Sequence, residues 1–424
     1  MLNRWGLLPL LFAVAAGCVD KEPFANAGGV SSLEVTLLDP APTALGSPAK
    51  PVAATQATFN VTVRDANGNR INKDVYVDVF ISFGGIKTGT DSACGADASG
   101  NKPIETLHIL NGQMLNHTLQ LPSAYGSTSI WLDEPVSHAT GASPTIYFRN
   151  PYIDEVQHPP DLMAPNATFC SPFNNKFIII DHARSGGQLI VTSVYSAAFV
   201  VTDTAATQFN SIFVYAFGKP PPYIVPGKVI TQISGNYSKF VGFTELNFPL
   251  FNVADDSVPL VPVPPPTDLT LPDLTSVPKL LGADAGIVRY TGTICNPAPP
   301  NPSNDPNIQK TIDSWNKYNQ FVIDNDGTCD SFTNFAVELT AKQMGDFDPT
   351  KNVGAQLTVV GMLQNHSGQN PALDANGNQA HCSATQMCPS ASNVCIMGDC
   401  FKTAYNFWDI LPRTADDLTV VPAR

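Results

Sequence analysis

The stretch TFNVTVRDANGNRINKDVYVDV, Thr58 to Val79, decides the fold class. Phe59, Val61 and Val63 alternate with polar residues, and Val75, Val77 and Val79 do the same, continuing to Ile81 and Phe83. A period of two places one set of side chains on a single face of an extended strand, where that face can be buried. Between the two runs, Asp65-Ala66-Asn67-Gly68-Asn69 supplies the positive φ of a tight turn. Upstream, Leu33, Val35 and Leu37 repeat the alternation; downstream come Leu119 and Leu121, then Ile130, then Ile146 and Phe148. Short strands at this spacing predict a β-sandwich over residues 31–150.

Composition points the same way. The 424 residues include 37 prolines and only 14% charged side chains, which excludes a protein of long helices. An excess of 36 acidic over 23 basic residues repels phosphate backbones and anionic lipid, so nucleic acid is a poor partner. At the N-terminus, Arg4 precedes the apolar run Leu7 to Ala16 (LLPLLFAVAA). This run falls short of the roughly twenty residues that span a bilayer and reads as a signal peptide over residues 1–17. Val14-Ala15-Ala16-Gly17-Cys18 resembles the lipobox of bacterial lipoproteins. That resemblance implies that the Cys18 thiol receives diacylglycerol and becomes the first residue after cleavage. It also implies the outer membrane, because Val19 stands where the family's inner-membrane retention signal has Asp. The membrane is thus an expected partner through the anchor. Residues 18–30 read as a tether, and the mature chain keeps 22 basic and 36 acidic side chains.

Eight cysteines remain besides Cys18: Cys94, Cys170, Cys295, Cys329, Cys382, Cys388, Cys395 and Cys400. An even number in an exported chain reads as disulfides. Cys295 is expected to pair with Cys329. Within the cluster at 382–400 three connectivities are open, Cys382–Cys395 with Cys388–Cys400 being favoured, and Cys94 with Cys170 remains by elimination. The spacings do not suit zinc.

Residues 151–424 read as one unit built twice. Gly187 to Val194 (GQLIVTSV), leading to Phe199 to Asp203 (FVVTD), matches Gly286 to Ile294 (GIVRYTGTI), leading after an insert to Phe321 to Asp324 (FVID). Pro226 to Tyr237 (PGKVITQISGNY) matches Val353 to Leu363 (VGAQLTVVGML). Asn247 to Leu250 with Asp255-Asp256 matches Asp409 to Arg413 with Asp416-Asp417. The copies span 151–257 and 281–424, separated by a proline-rich linker, 258–280, read as a stiff extended strap.

Two further resemblances follow from these motifs. The run from Thr58 to Val79 resembles bacterial immunoglobulin-like domains. The repeated unit resembles the OB-fold domains of secreted bacterial nucleases and related surface lipoproteins, with Gly235 and Gly361 where a barrel strand bends. It implies an all-β chain: an immunoglobulin-like sandwich followed by two OB-like β-barrels. On an OB barrel the candidate ligand face carries Phe199, Phe213, Tyr215, Tyr237, Phe240 and Phe243, able to stack on sugars or bases.

Motifs for catalysis are absent: there is no H-E-x-x-H, G-x-S-x-G or phosphate-binding glycine loop. Asp181-His182 closes the apolar run FIII and reads as a strand end before an acid–base dyad. The two DANGN runs, at Asp65 and Asp374, lack the distal Glu of a calcium loop and read as turns. The expectation is a lipid-anchored cell-surface protein acting by display and non-covalent binding, without catalysis, cofactor or metal. The rival readings are a binder of glycan or nucleic-acid fragments through an OB-like barrel, and an accessory subunit of a secreted hydrolase or nuclease.

Overall fold

The computed structural model describes residues 29–421, except 54, 84–85, 89–102, 122–123, 160–170, 241, 275, 303–305, 326–328, 330–334, 340–345, 369–392, 397–398 and 403–404. The leader, Cys18, Cys94, Cys170, Cys382, Cys388 and the second DANGN run lie outside the described residues. The chain is predominantly β.

The first nine strands are β1 (Ser32–Asp39), β2 (Gln56–Arg64), β3 (Val75–Phe83), β4 (Ile86–Thr88), β5 (Glu105–Ile109), β6 (Gln113–Gln120), β7 (Ser127–Asp133), β8 (Thr140–Ala142) and β9 (Ile146–Tyr147). They make two antiparallel sheets. One is ordered β1-β2-β6; the other runs β4-β3-β7-β8, with β5 also on β3 and β9 on β7. Both share one core, with Leu37, Phe59 and Val61 from the first sheet and Val77, Ile109, Ile130 and Leu132 from the second. The turn Asp65–Asn69 closes only a short local hairpin, with Arg64 bridging Arg70 and the Ile71 amide donating to the Val63 carbonyl (3.1 Å); β2 pairs with β1 and β6, while β3 belongs to the other sheet. Asp65 Oδ1 accepts from the amides of Asn67 (2.9 Å) and Asn69 (2.8 Å), and Gly68 takes φ 79°. Its carboxylate is used by turn chemistry.

The next unit holds α1 (Ile153–Gln157), β10 (Phe177–Ile180), β11 (Leu189–Val194), β12 (Ala198–Asp203), β13 (Ser211–Tyr215), β14 (Ile230–Phe240) and β15 (Phe243–Val253). Its sheet is ordered β10-β14-β15-β13-β12-β11, and β13 runs parallel to β15. Then come β16 (Thr267–Asp268), α2 (Leu271–Leu274), α3 (Val277–Ala283), β17 (Ile287–Ile294), α4 (Pro306–Tyr318), β18 (Gln320–Asp324), β19 (Phe335–Glu338), β20 (Gln356–Gly368), β21 (Asn393–Ile396), β22 (Asp399–Lys402), β23 (Tyr405–Pro412) and β24 (Leu418–Val421). The last large sheet is ordered β16-β17-β18-β19-β23-β20-β24, β17 also pairs with β20, and β19 runs parallel to β23.

The matched sequence segments fall on equivalent strands. β11 to β15 in one unit, and β17, β18, β19, β20 and β23 in the other, follow the same spatial order, first-second-third-fifth-fourth, with the third and fifth parallel. Gly235 and Gly361 also correspond. A Cβ on Gly235 would lie 2.8 Å from the Asn247 carbonyl oxygen, and one on Gly361 2.5 Å from that of Leu411. Both glycines admit a crossing backbone that any side chain would exclude.

Neither sheet is the plain closed five-stranded barrel expected from the repeat. In the first, β11 meets the approach to β14 at a single bridge, Ile190 to Val229, because β10 takes the edge of β14 from Ile233 to Asn236. In the second, β16 and β24 extend the sheet beyond the five. The proline-rich segment also departs from a uniformly extended strap. It begins extended, with the Val261 amide bonded to the Gly227 carbonyl (2.9 Å), then turns into α2 and α3. Ser276 caps α3 by accepting from the Lys279 amide (3.4 Å), and Pro278 sits in its first turn, where no amide is needed.

Candidate functional site

The six aromatic residues expected on a ligand face are mostly unavailable to a ligand. Phe199 and Tyr237 are fully buried in the core of the first five-stranded unit, Phe199 edge-on to Phe251 at 5.2 Å. Phe243 is buried too, and half-buried Phe213 and Tyr215 pack with it against the second unit, joined by Met362, Ile287 and Leu411. The Phe240 side chain lies outside the described residues. The face that would stack on a ligand is the seam between the two copies. Tyr195 crosses it, its hydroxyl donating to the Leu411 carbonyl (3.2 Å). Period-two spacing identifies a buried face; it does not say whether the cover is ligand or protein.

At one end of that seam a cleft of about 480 Å³ opens. Thr192, Thr202 and Ser211 form its floor, from β11, β12 and β13, and all three are buried. Their hydroxyls are chained: Thr192 to Thr202 at 3.0 Å, Thr202 to Ser211 at 2.8 Å, and Ser211 onward to Asn210 Oδ1 at 3.2 Å. Gly282 and Ala283 of α3 form one wall, Pro264 and Pro265 of the strap another, and Ile287 and Val288 open β17 on the far side. Lys279 brings one positive charge to the lining. A hydroxyl has one proton and two lone pairs, so the chain leaves acceptor capacity facing the cleft. The arrangement suits an uncharged ligand rich in hydroxyl groups, and among the described residues the lining holds no carboxylate, histidine or thiol.

Asp181 and His182 are joined through His182 Nδ1 and Asp181 Oδ1, and Asn150 donates to Asp181 Oδ2 at 2.9 Å. The hydrogen bond from His182 holds the Asp181 carboxyl below the usual range. Tyr152 packs edge-on to His182 at 4.7 Å and lies between the guanidinium groups of Arg184 (4.1 Å) and Arg149 (4.6 Å). Both arginines are themselves engaged, Arg149 with Glu155 and Arg184 with Asp154. The group therefore reads as a clasp joining the end of the sandwich to α1 and β10.

Cys295 and Cys329 form the expected disulfide, with Cα atoms 5.9 Å apart. Asp324 lies beside it and accepts from the Cys329 amide at 2.9 Å. Its counterpart Asp203 accepts from the amides of Arg184 (2.6 Å) and Ala205 (2.9 Å), so the repeated Asp at the end of the second strand anchors a loop in both copies. The β21–β22 register places Cys395 opposite Cys400.

Sequence reasoning missed Asp284, which follows α3 and is buried, its carboxylate reached only by weak contacts from the backbone amides of Asn365, Ala285 and Thr244. Burial pushes its carboxyl up to about 7, against a weaker opposing pull from Lys239. It also missed Phe217 and Phe248, exposed aromatic residues that fall outside any alternating run. Their signal was position: Phe217 precedes Gly218 and three prolines, and Phe248 precedes Pro249. No family model matches this chain, and no curated protein or solved structure matches it either.

Proposed function

We propose that this is an exported, lipid-anchored envelope protein that acts by display and non-covalent binding, and that the cleft between the two repeated units seats a small glycan fragment. The buried hydroxyl chain Thr192–Thr202–Ser211 carries the reading, since a floor of neutral donors and acceptors matches a polyol better than an anion or a hydrocarbon. The Cys295–Cys329 disulfide supports an oxidising compartment. For the architecture, the first-second-third-fifth-fourth strand order and the parallel third–fifth pair support two OB-type units, and the two sheets around one core support an immunoglobulin-type sandwich. Net charge argues against nucleic acid as the cargo.

Thr202→Val tests the cleft. It keeps the shape of the side chain and removes the central hydroxyl of the chain. Mono- and disaccharide binding, measured by calorimetry on the full-length protein, is expected to weaken about tenfold, the worth of roughly one hydrogen bond. Unchanged affinity in the variant, or no saccharide binding by the parent protein, rejects the reading.

A further inference from the structure

We propose that the solvent-facing end of the Phe217–Phe248 stack is a platform for the apolar face of an uncharged pyranose ring, a carbohydrate-binding surface separate from the cleft. Both residues occupy left-handed backbone, φ 57° at Phe217 and 51° at Phe248. An L-residue with a bulky side chain pays about 1–2 kcal/mol for that conformation, where glycine or asparagine would sit at little cost. Burial does not repay it, because Phe217 is 54% exposed and Phe248 66%. Neither core packing nor backbone preference therefore accounts for phenylalanine at these two positions.

Strand geometry brings the rings together. Parallel β13 and β15 set Tyr215 opposite Asn247, so the residues just beyond, Phe217 and Phe248, become neighbours. In β15 the register shifts between Asn247, opposite Asn236, and Leu250, opposite Ser234. Phe248 and Pro249 are the bulged residues, facing Gly235, and a bulge re-aims the side chain it carries. The two rings stack with centroids 4.6 Å apart and planes 26° from parallel. Tyr215 lies against Phe217 at 4.5 Å, so the ladder Tyr215–Phe217–Phe248 is rooted in the packed seam and ends in solvent.

The surroundings select the ligand. An aromatic face offered to water takes the C–H face of a sugar ring, and exposed Asn236 stands opposite Asn247, the residue before Phe248. Asn247 itself faces inward: its Oδ1 is buried and its amide nitrogen donates to Ser238 (2.9 Å) and Glu245 (3.0 Å). The Glu245 carboxylate and the acidic excess of the whole chain disfavour polyanions. A neutral oligosaccharide satisfies both the exposed ring and the acidic surroundings.

The test uses the full-length protein with neutral β-linked glucose and N-acetylglucosamine oligomers as probes, and phosphatidylcholine vesicles as the competing surface. Phe248→Asn and Phe217→Asn are expected to lose at least about tenfold in oligomer affinity, while their thermal midpoints stay level or rise because asparagine accepts left-handed backbone. Phe248→Trp is expected to bind more tightly, with its indole emission shifting on titration. The emission shift of Phe248→Trp reads the platform alone, whereas Thr202→Val calorimetry reads the cleft, so failure of the cleft and failure of the platform are separable. The proposal is overturned if the asparagine variants melt several degrees lower, if they bind oligomers as the parent does, or if neither the parent nor Phe248→Trp binds any oligomer. Capture of vesicles instead of sugars, abolished by Phe248→Asn, overturns it in favour of a membrane contact.

Discussion

Asp284 is the residue at which acidity and folding meet. Its carboxyl is raised to about 7 by burial, so between about pH 4 and 7 the folded chain holds a proton that the unfolded chain has released. Stability contributed by this group is therefore present at low pH and falls as pH rises through that window. At about 1.4 kcal/mol per pKa unit the effect is at most a few kcal/mol. Asp284→Asn is expected to flatten this dependence, matching the parent near pH 4 and melting higher at pH 8; thermal midpoints across a pH series check it. A lone acid after a run of leucines gave no hint of this in the sequence, since burial at a helix end depends on what packs over it. The repeated acids were easier to interpret. Asp203 and Asp324 end equivalent strands and anchor loops, while Asp256 and Asp417 pair with Lys228 and Arg413.

Among elements, the two long antiparallel pairs, β14 with β15 and β20 with β23, depend most on a single atom's absence. β20 passes β23 so closely at Gly361 that a methyl group would meet the Leu411 carbonyl at 2.5 Å. Gly361→Ala is expected to cost about 1–3 kcal/mol, as overpacking against rigid backbone does, and Gly235→Ala less, because its nearest carbonyl stands at 2.8 Å. Urea unfolding of both variants measures the difference. These glycines were legible because each sits at the same place in a matched segment. The helix α4, Pro306 to Tyr318, was read only as an insert although Ile308, Ile312 and Trp315 recur at helical spacing; with so few apolar residues among polar ones the stripe was passed over. The Asp65–Asn69 turn was legible as a turn but not as a crossing between sheets, because a turn's chemistry is local and its destination is set by the partners of β3.

For the whole molecule, the duplication was the most legible feature and the use of its faces the least. Matching segments identified the equivalent strands, yet Phe213, Tyr215 and Phe243 serve to join the copies. The proposed lipid anchor belongs to this scale. Cys18→Ser is expected to move the protein from the detergent phase to the aqueous phase in Triton X-114 partitioning and to abolish incorporation of labelled palmitate; continued labelling would discard the lipoprotein reading. Synthesis order matters as well. Residues 336–337 of β19 find their parallel partner at 409–410 of β23, some seventy positions downstream. Until that segment emerges, β19 lacks one neighbour and the sheet has a vacant lane. That last sheet therefore closes around its core only after β23 has been made, whereas the two earlier cores, at 30–148 and 125–253, do not depend on it.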